Sequence, residues 1–204
     1  MKQKPILPKS FFREHPLREN SFARYAFLLM AELKQGAVSE LFATEQLSNL
    51  LPAERRVQIS AENERILHLQ TAEEIVNTLR KDYDVICRDA IVQRALEMEE
   101  SVLPLLLHRY QTNRTEQFIE GAAMIFANAD VRYVESLLAM YDSIRSDYAR
   151  AMACLVFAAK DLKQAIPLLL SEMNRLKTVE DREYHSDLSQ APLLALYVLN
   201  NQPF

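Results

Sequence analysis

The chain has 204 residues, 49% hydrophobic and 25% charged, with a formal charge of −4, a composition that allows a substantial buried core. It contains only two glycines, which argues against phosphate-cradling loops and most nucleotide-binding folds, since both depend on Gly at positive φ. No apolar run approaches the ~18 residues of a membrane span, and the opening MKQKPILPKSFF lacks the apolar stretch of a signal peptide, so a cytoplasmic location is expected.

Charge is unevenly spread. Residues 1–35 hold seven Lys/Arg against three Glu, leaving 17 basic and 25 acidic residues for the rest. Residues 1–20, with Pro5, Pro8 and Pro16 and no apolar period, read as a basic, extended arm. Asn20 or Ser21 offers an N-cap, and Phe22, Tyr25, Leu28, Leu29 and Leu33 then repeat at helical spacing up to Gly36. Ser39 opens a second helix through Leu41, Phe42, Leu47 and Leu50, closed by Pro52, and the two make an antiparallel pair. Residues 53–70 fit two patterns. VQIS and ILHLQ around AENE alternate like a small hairpin, whereas Ile59, Asn63 and Ile66 fit a helix.

From Thr71 onward the pattern is helical. Thr71 and Glu74 form a capping box ahead of Ile75, Val76 and Leu79. Val85, Ile86, Ala90, Val92 and Leu96 mark the next helix. Ser101 is placed to cap Val102, Leu105 and Leu106, with Pro104 in the first turn. Tyr133, Val134, Leu137, Leu138, Tyr141 and Ile144 form an i, i+3, i+4, i+7 stripe. Tyr148 to Ala159 and Leu162 to Leu176 give two more helices. After the polar stretch TVEDREYHSD, a last helix runs through Leu188, Leu194, Ala195 and Val198. Connectors of a few residues make successive helices antiparallel neighbours. The fold class is therefore all-α, with an irregular or hairpin segment near 53–70 as an open alternative. The chain divides into an arm (1–20), a helix pair with its connector (21–70) and a helical array (71–204).

The array repeats itself. GAAMIFANAD at 121–130 recurs as MACLVFAAKD at 152–161, a spacing of 31. The blocks VLPLLL, VESLLA and AIPLLL begin at 102, 134 and 165. Fixed periods in this range mark stacked helical repeats, because a two-helix unit buries its faces only against a neighbour. Small residues on the second helix let backbones approach, and the large aliphatics of the first fill the remaining space. Phe126 and Phe157 are then expected in equivalent slots. VESLLAMYDSIRSD followed by YARAMACLVFAAKD resembles a short bacterial HEAT-like repeat, with Asp147 near the turn and Arg150 near the basic position of that pattern. The preceding unit departs from it, carrying Glu120 instead of a basic residue. The resemblance implies a right-handed stack of antiparallel helix pairs, an α-solenoid.

No string for zinc peptidase, nucleophile elbow, paired-cysteine metal site, P-loop or EF-hand chemistry occurs, and no metal or cofactor is expected. Cys87 and Cys154 fall within helices and read as buried, reduced thiols. Asp181, Glu183, His185 and Asp187 carry metal-ligating atoms but no defined ligand spacing, so the stretch reads as a solvated loop. Glu97, Glu99 and Glu100 fit the positive end of the following helix dipole better than a catalytic carboxylate pair. The arm interleaves Phe11, Phe12, Phe22 and Tyr25 with Arg13, Arg18 and Arg24, which is the composition of a nucleic-acid contact, but the same aromatics suit a flap over the first helix pair. The resulting expectation is a non-catalytic repeat protein binding another protein or peptide on its concave face. Glu120, Arg150 and Lys160 on the second helices are the candidate contacts. The alternative is a nucleic-acid-binding or DNA-repair protein working through Arg13, Arg18 and Arg24.

Overall fold

In the computed structural model, which describes residues 6–33, 51–83, 85–183 and 187–203, every regular element among the described residues is helical. The elements are α1 (Lys9–Glu14), α2 (Phe22–Leu33), α3 (Ala53–Leu67), α4 (Ala72–Thr78), α5 (Val85–Glu97), α6 (Glu99–Tyr110), α7 (Glu116–Asn128), α8 (Val131–Ala139), α9 (Asp147–Ala159), α10 (Ile166–Glu183) and α11 (Gln190–Leu199). Short 3-10 turns at Tyr141–Ser143 and Lys163–Ala165 precede α9 and α10. The helix expected over Ser39–Leu50 lies outside the described residues. No described helix is long and apolar enough to cross a membrane.

Local signals explain most boundaries. Thr71 Oγ1 accepts the Glu74 amide while Glu74 accepts the Thr71 amide, the reciprocal pair of a capping box. Residues 53–67 form a helix instead of a hairpin, because Ile59 and Ile66, seven residues apart, lie on one buried face. Ser101 caps nothing. The helix α6 starts after Met98 with Glu99 and Glu100 in its first turn, and Pro104 falls in the second turn. The Tyr133–Ile144 stripe is broken at Met140, after which Tyr141 is carried on a 3-10 turn. Part of the polar stretch after Leu176 belongs to α10, which continues to Glu183. Ser21 stands at the start of α2, but its hydroxyl is buried without a hydrogen-bond partner, so the expected side-chain cap is not made. Within α2 the buried residues are Ala23, Leu29 and Met30, whereas Tyr25 and Leu28, expected in the core, are exposed.

Two helical layers run through the array. The helices α3, α5, α7, α9 and α11 each pack against the next member of that series, while α4, α6 and α8 do the same alongside them. The helix α10 packs on α11. Equivalent contacts recur at the repeat spacing. Phe126 and Phe157 are both fully buried, and each meets a buried tyrosine from the preceding helix or turn. The Tyr110 ring lies 5.6 Å from Phe126, and the Tyr141 ring lies 5.9 Å from Phe157. Both tyrosine hydroxyls are satisfied by α9 carbonyls, Tyr110 by Ala149 at 2.9 Å and Tyr141 by Arg150 at 3.3 Å. The aspartates of the two repeated stretches do different jobs, however. Asp130 caps α8 by accepting the Arg132 amide. Asp161 sits at φ 51° just beyond α9, where the Leu162 and Asp161 amides return to Phe157 and Ala158 carbonyls in a Schellman closure.

The second helix of the pair that the arm's aromatics were expected to cover lies outside the described residues, and the arm itself is not extended but holds the short helix α1. It runs along α11, 180 or so residues away in sequence. The Ile6 and Leu7 amides both donate to Asn200 Oδ1 at 2.9 Å, the Arg18 amide donates to Gln190 Oε1, and the Tyr197 hydroxyl donates to the Phe12 and His15 carbonyls. Phe12 is buried edge-on against Tyr197 at 4.7 Å. Beyond the arm, α2 lies across α7, α9 and α11, and its Phe22 ring meets Tyr148 at 5.8 Å. The arm docks because Phe12 and Leu7 have apolar surface to bury and α11 offers side-chain acceptors for backbone amides that no strand or helix satisfies.

Two measurements test this packing. Phe126→Ala and Phe157→Ala are each expected to lower stability by about 3–5 kcal/mol and by similar amounts, read from urea unfolding; a large inequality would mean the slots are not equivalent. Asn200→Ala removes the acceptor of two amides and is expected to cost about 1–2 kcal/mol, with faster limited proteolysis before residue 18.

Candidate functional site

Four charged side chains meet in a seam between α9 and α10. Glu172 falls at the i+3 position of the Leu169–Leu176 apolar stripe, so its helix face carries it into the core; its side chain is 4% exposed. Arg150 of α9 meets it in a two-pronged ion pair, Nε to Oε1 and Nη2 to Oε2, both at 2.9 Å. Arg175, one turn further along α10, reaches the same carboxylate at 2.6 and 3.0 Å and Asp147 at 2.5 Å. The Arg150 guanidinium also stacks 4.5 Å above the Tyr141 ring, whose hydroxyl lies 3.4 Å from Cys154 Sγ.

The electrostatics follow from burial and pairing. Burial pushes the Glu172 carboxyl up, but hydrogen bonds from Arg175 and Arg150, together with their charges, outweigh it and hold it down at about 2. Burial pushes the Cys154 thiol up to about 12 against its hydrogen bond with Tyr141, and burial also raises the Tyr141 phenol far above its ordinary value. Both groups therefore stay protonated at neutral pH, and a thiol needs to be a thiolate to act as nucleophile. With every charge matched, the seam joins α9 to α10 as a clamp.

A second polar cluster ties three successive members of the α3–α11 layer. Glu120 of α7 accepts Tyr148 of α9 at 2.8 Å and pairs with Arg88 of α5 at 3.2 Å; Arg88 also reaches Asp82 and the Tyr83 carbonyl. Beside it, Gly121 leaves room for Leu79, whose Cδ2 would lie 2.7 Å from an added Cβ.

The expected contact residues are thus distributed differently from the sequence reading. Arg150 and Glu120 were expected to be exposed, but each is partly buried and committed to partners on neighbouring helices, because an opposite charge or hydroxyl faces it across the packing. They belong to two separate clusters. Lys160 is the half-exposed C-cap of α9. Arg13 and Arg18 are exposed on the arm beside α11, and Arg24 is half-buried on α2. Three of the four aromatics interleaved with them are engaged, Phe11 against His15, Phe12 against Tyr197 and Phe22 against Tyr148, whereas Tyr25 is exposed. The side chains of Asp181, Glu183 and His185 lie outside the described residues, and no group of three or more metal-ligating side chains converges among those described. Glu97 pairs with Arg94, Glu99 accepts the Asp130 amide at 2.6 Å, and Glu100 pairs with Arg132, so the three carboxylates serve three different contacts. Cys87 and Cys154 are both buried.

Two features of the sequence carry these contacts. Glu172 interrupts an apolar stripe, which marks a buried charge in need of a partner. Tyr110 and Tyr141 share the 31-residue spacing of Phe126 and Phe157. The surface itself shows one paired apolar feature on the N-terminal segment: Tyr25, 70% exposed, and Leu28, 52% exposed, one turn apart on α2. Compared with protein-family models, curated proteins and solved structures, the chain matches none.

Because the folded Glu172 carboxyl titrates below its ordinary 4.5, its contribution is present above that value and is lost as pH falls towards about 2. Wild-type stability is expected to drop steeply across that window, and Glu172→Gln to flatten the drop. Glu172→Ala leaves Arg150 without its carboxylate and Arg175 with Asp147 alone, and is expected to cost about 3–5 kcal/mol at pH 7, read from denaturant unfolding at fixed pH.

Proposed function

We propose that this protein is a non-catalytic helical-repeat module, a right-handed HEAT-like stack of helix pairs, that binds another protein or peptide. The stack is supported by the two layers of alternate helices and by ties between residues about one period apart: Glu99 with the Asp130 amide, Glu100 with Arg132, Arg88 with Glu120 and Asn77 with Arg109. Repeat stacks present extended surfaces to macromolecular partners. In this chain α7, α9 and α11 carry α2, so part of the surface expected to receive a partner is occupied by the protein's own helix.

The observation that carries the reading is the outer side of α2. A helix that is apolar on both sides ordinarily has both sides covered. In FARYAFLLMAEL one side is buried on the array through Ala23 and Met30, while Tyr25 and Leu28 face outward. A partner with an apolar surface is expected to cover them. The nucleic-acid alternative through Arg13, Arg18 and Arg24 has less support, since Phe11, Phe12 and Phe22 are engaged in packing and only Tyr25 of the four interleaved aromatics is exposed.

A photo-crosslinking residue placed at position 28 is expected to capture a discrete protein adduct that one placed at exposed Glu135 on α8 does not. Tyr25→Asp should remove the adduct while changing stability by no more than about 0.5 kcal/mol. The same adducts at both positions, or none at position 28, would count against the proposal.

A further inference from the structure

We infer that the outward face of α3 pairs with the same face of a second copy of the chain, antiparallel about a two-fold axis near Ser60. The inference is independent of the surface proposed for α2. It begins with an asymmetry between the two ends of the α3–α11 layer. A helix at the end of a stack has one side with no neighbour in the series and must be covered or polar there. At the α11 end the arm supplies the cover, with Leu7 and Phe12 packed into the core cluster and Phe12 against Tyr197. At the other end α3 packs on α5 with Ile59 and Ile66 buried, while Leu67, 40% exposed, lies about a quarter-turn round from Ile66, and Val57, 69% exposed, lies on the opposite side of the same helix. A shallow groove of about 480 Å³ runs along it, lined by Ala53, Arg56, Val57, Ser60, Ala61 and Glu64.

The charges on that face select the occupant. Arg65 and Glu62 pair with each other. Arg56 and Glu64 form no ion pair among the described residues, and they sit eight positions apart, about 12 Å along the helix axis, on either side of Ser60. Turn a second copy of α3 by 180° about an axis through Ser60, and Arg56 of each copy meets Glu64 of the other, Ala53 meets Leu67, and Ser60 meets itself. A surface complementary to itself in this way forms an isologous, closed interface. The small side chains of Ser60 and Ala61 at the centre let the helix axes approach towards the lower end of the usual 8–10 Å. The pairing extends the layer across the two-fold, with the second α3 on the side where no described helix packs. A fifteen-residue helix is about 22 Å long and supplies only part of the ~800 Å² per partner of a standard interface, so the dimer is expected to dissociate in the micromolar range.

Sedimentation velocity on the full chain from about 1 to 100 µM should show a monomer–dimer equilibrium. Val57→Asp should weaken it at least about tenfold with unchanged circular dichroism and, at concentrations where both chains are monomeric, an unchanged unfolding temperature, since the side chain is solvent-exposed in the monomer. Arg56→Glu and Glu64→Arg should each weaken it at least about tenfold by opposing like charges, and the double exchange should restore it. Ser60→Cys should give a disulfide-linked dimer under mild oxidation, whereas Gln58→Cys should not. A monomer across the whole concentration range would overturn the inference. So would a dimer indifferent to Val57→Asp, or one that the double charge exchange fails to restore.

Discussion

Helix α9 has almost no side left for solvent, and the rest of the array is arranged around that fact. It is packed by α7, α11, α2 and α8, and from Ala151 to Ala158 every residue is buried. A helix so enclosed must be apolar all round, and it must be narrow where neighbours crowd it. The small residues Ala149, Ala151, Ala153, Cys154 and Ala158 meet the second condition, and Met152, Leu155, Val156 and Phe157 fill what remains. Phe157 then depends on Tyr141 from the preceding turn, as Phe126 depends on Tyr110. The tyrosines close the slots and donate their hydroxyls to α9 carbonyls, so neither phenol oxygen is left stranded in the core.

Charge is used inside this protein as a fastener between helices that apolar packing alone would leave free to slide. The Glu172 carboxylate is buried by the register of its own helix, and two guanidiniums compensate it from two directions. Such an arrangement contributes little beyond an apolar equivalent, but losing one member is costly. It therefore fixes how α10 sits on α9 more than how tightly. The cluster of Arg88, Glu120 and Tyr148 does the same for α5, α7 and α9. Residues that look, by type, like an active centre are in this way accounted for by position. Their charges are matched and the nearby thiol and phenol are held protonated.

The first residues of the chain finish what the array begins. By running along α11 and then across α9 towards α7, the N-terminal segment covers a terminal helix and a broad face of the layer at once. Among the described residues, exposed large apolar side chains then remain on α2, at Tyr25 and Leu28, and at the far end on α3, where Val57 and Leu67 stand beside Arg56 and Glu64.

How much of this could be read from the linear chain follows from the range of the interactions. The helices from Thr71 onward were legible because a capping box, a 3.6-residue apolar period and a turn act within a few residues of one another. The 31-residue recurrence was legible because the equivalent contacts of successive units demand equivalent side chains, as Phe126 and Phe157 do. The all-helical class follows from these alone. What only the tertiary structure decided is every contact between segments distant in sequence. Phe12 could not announce Tyr197 as its partner, nor Leu7 its acceptor on Asn200, since no local pattern encodes a meeting of the chain's two ends. The same holds for exposure. Tyr25 and Leu28 share the helical spacing of Leu29, and Arg150 looks like any charged surface residue. Which of them is buried depends on whether another helix arrives to cover it, and that is settled by packing across the whole molecule.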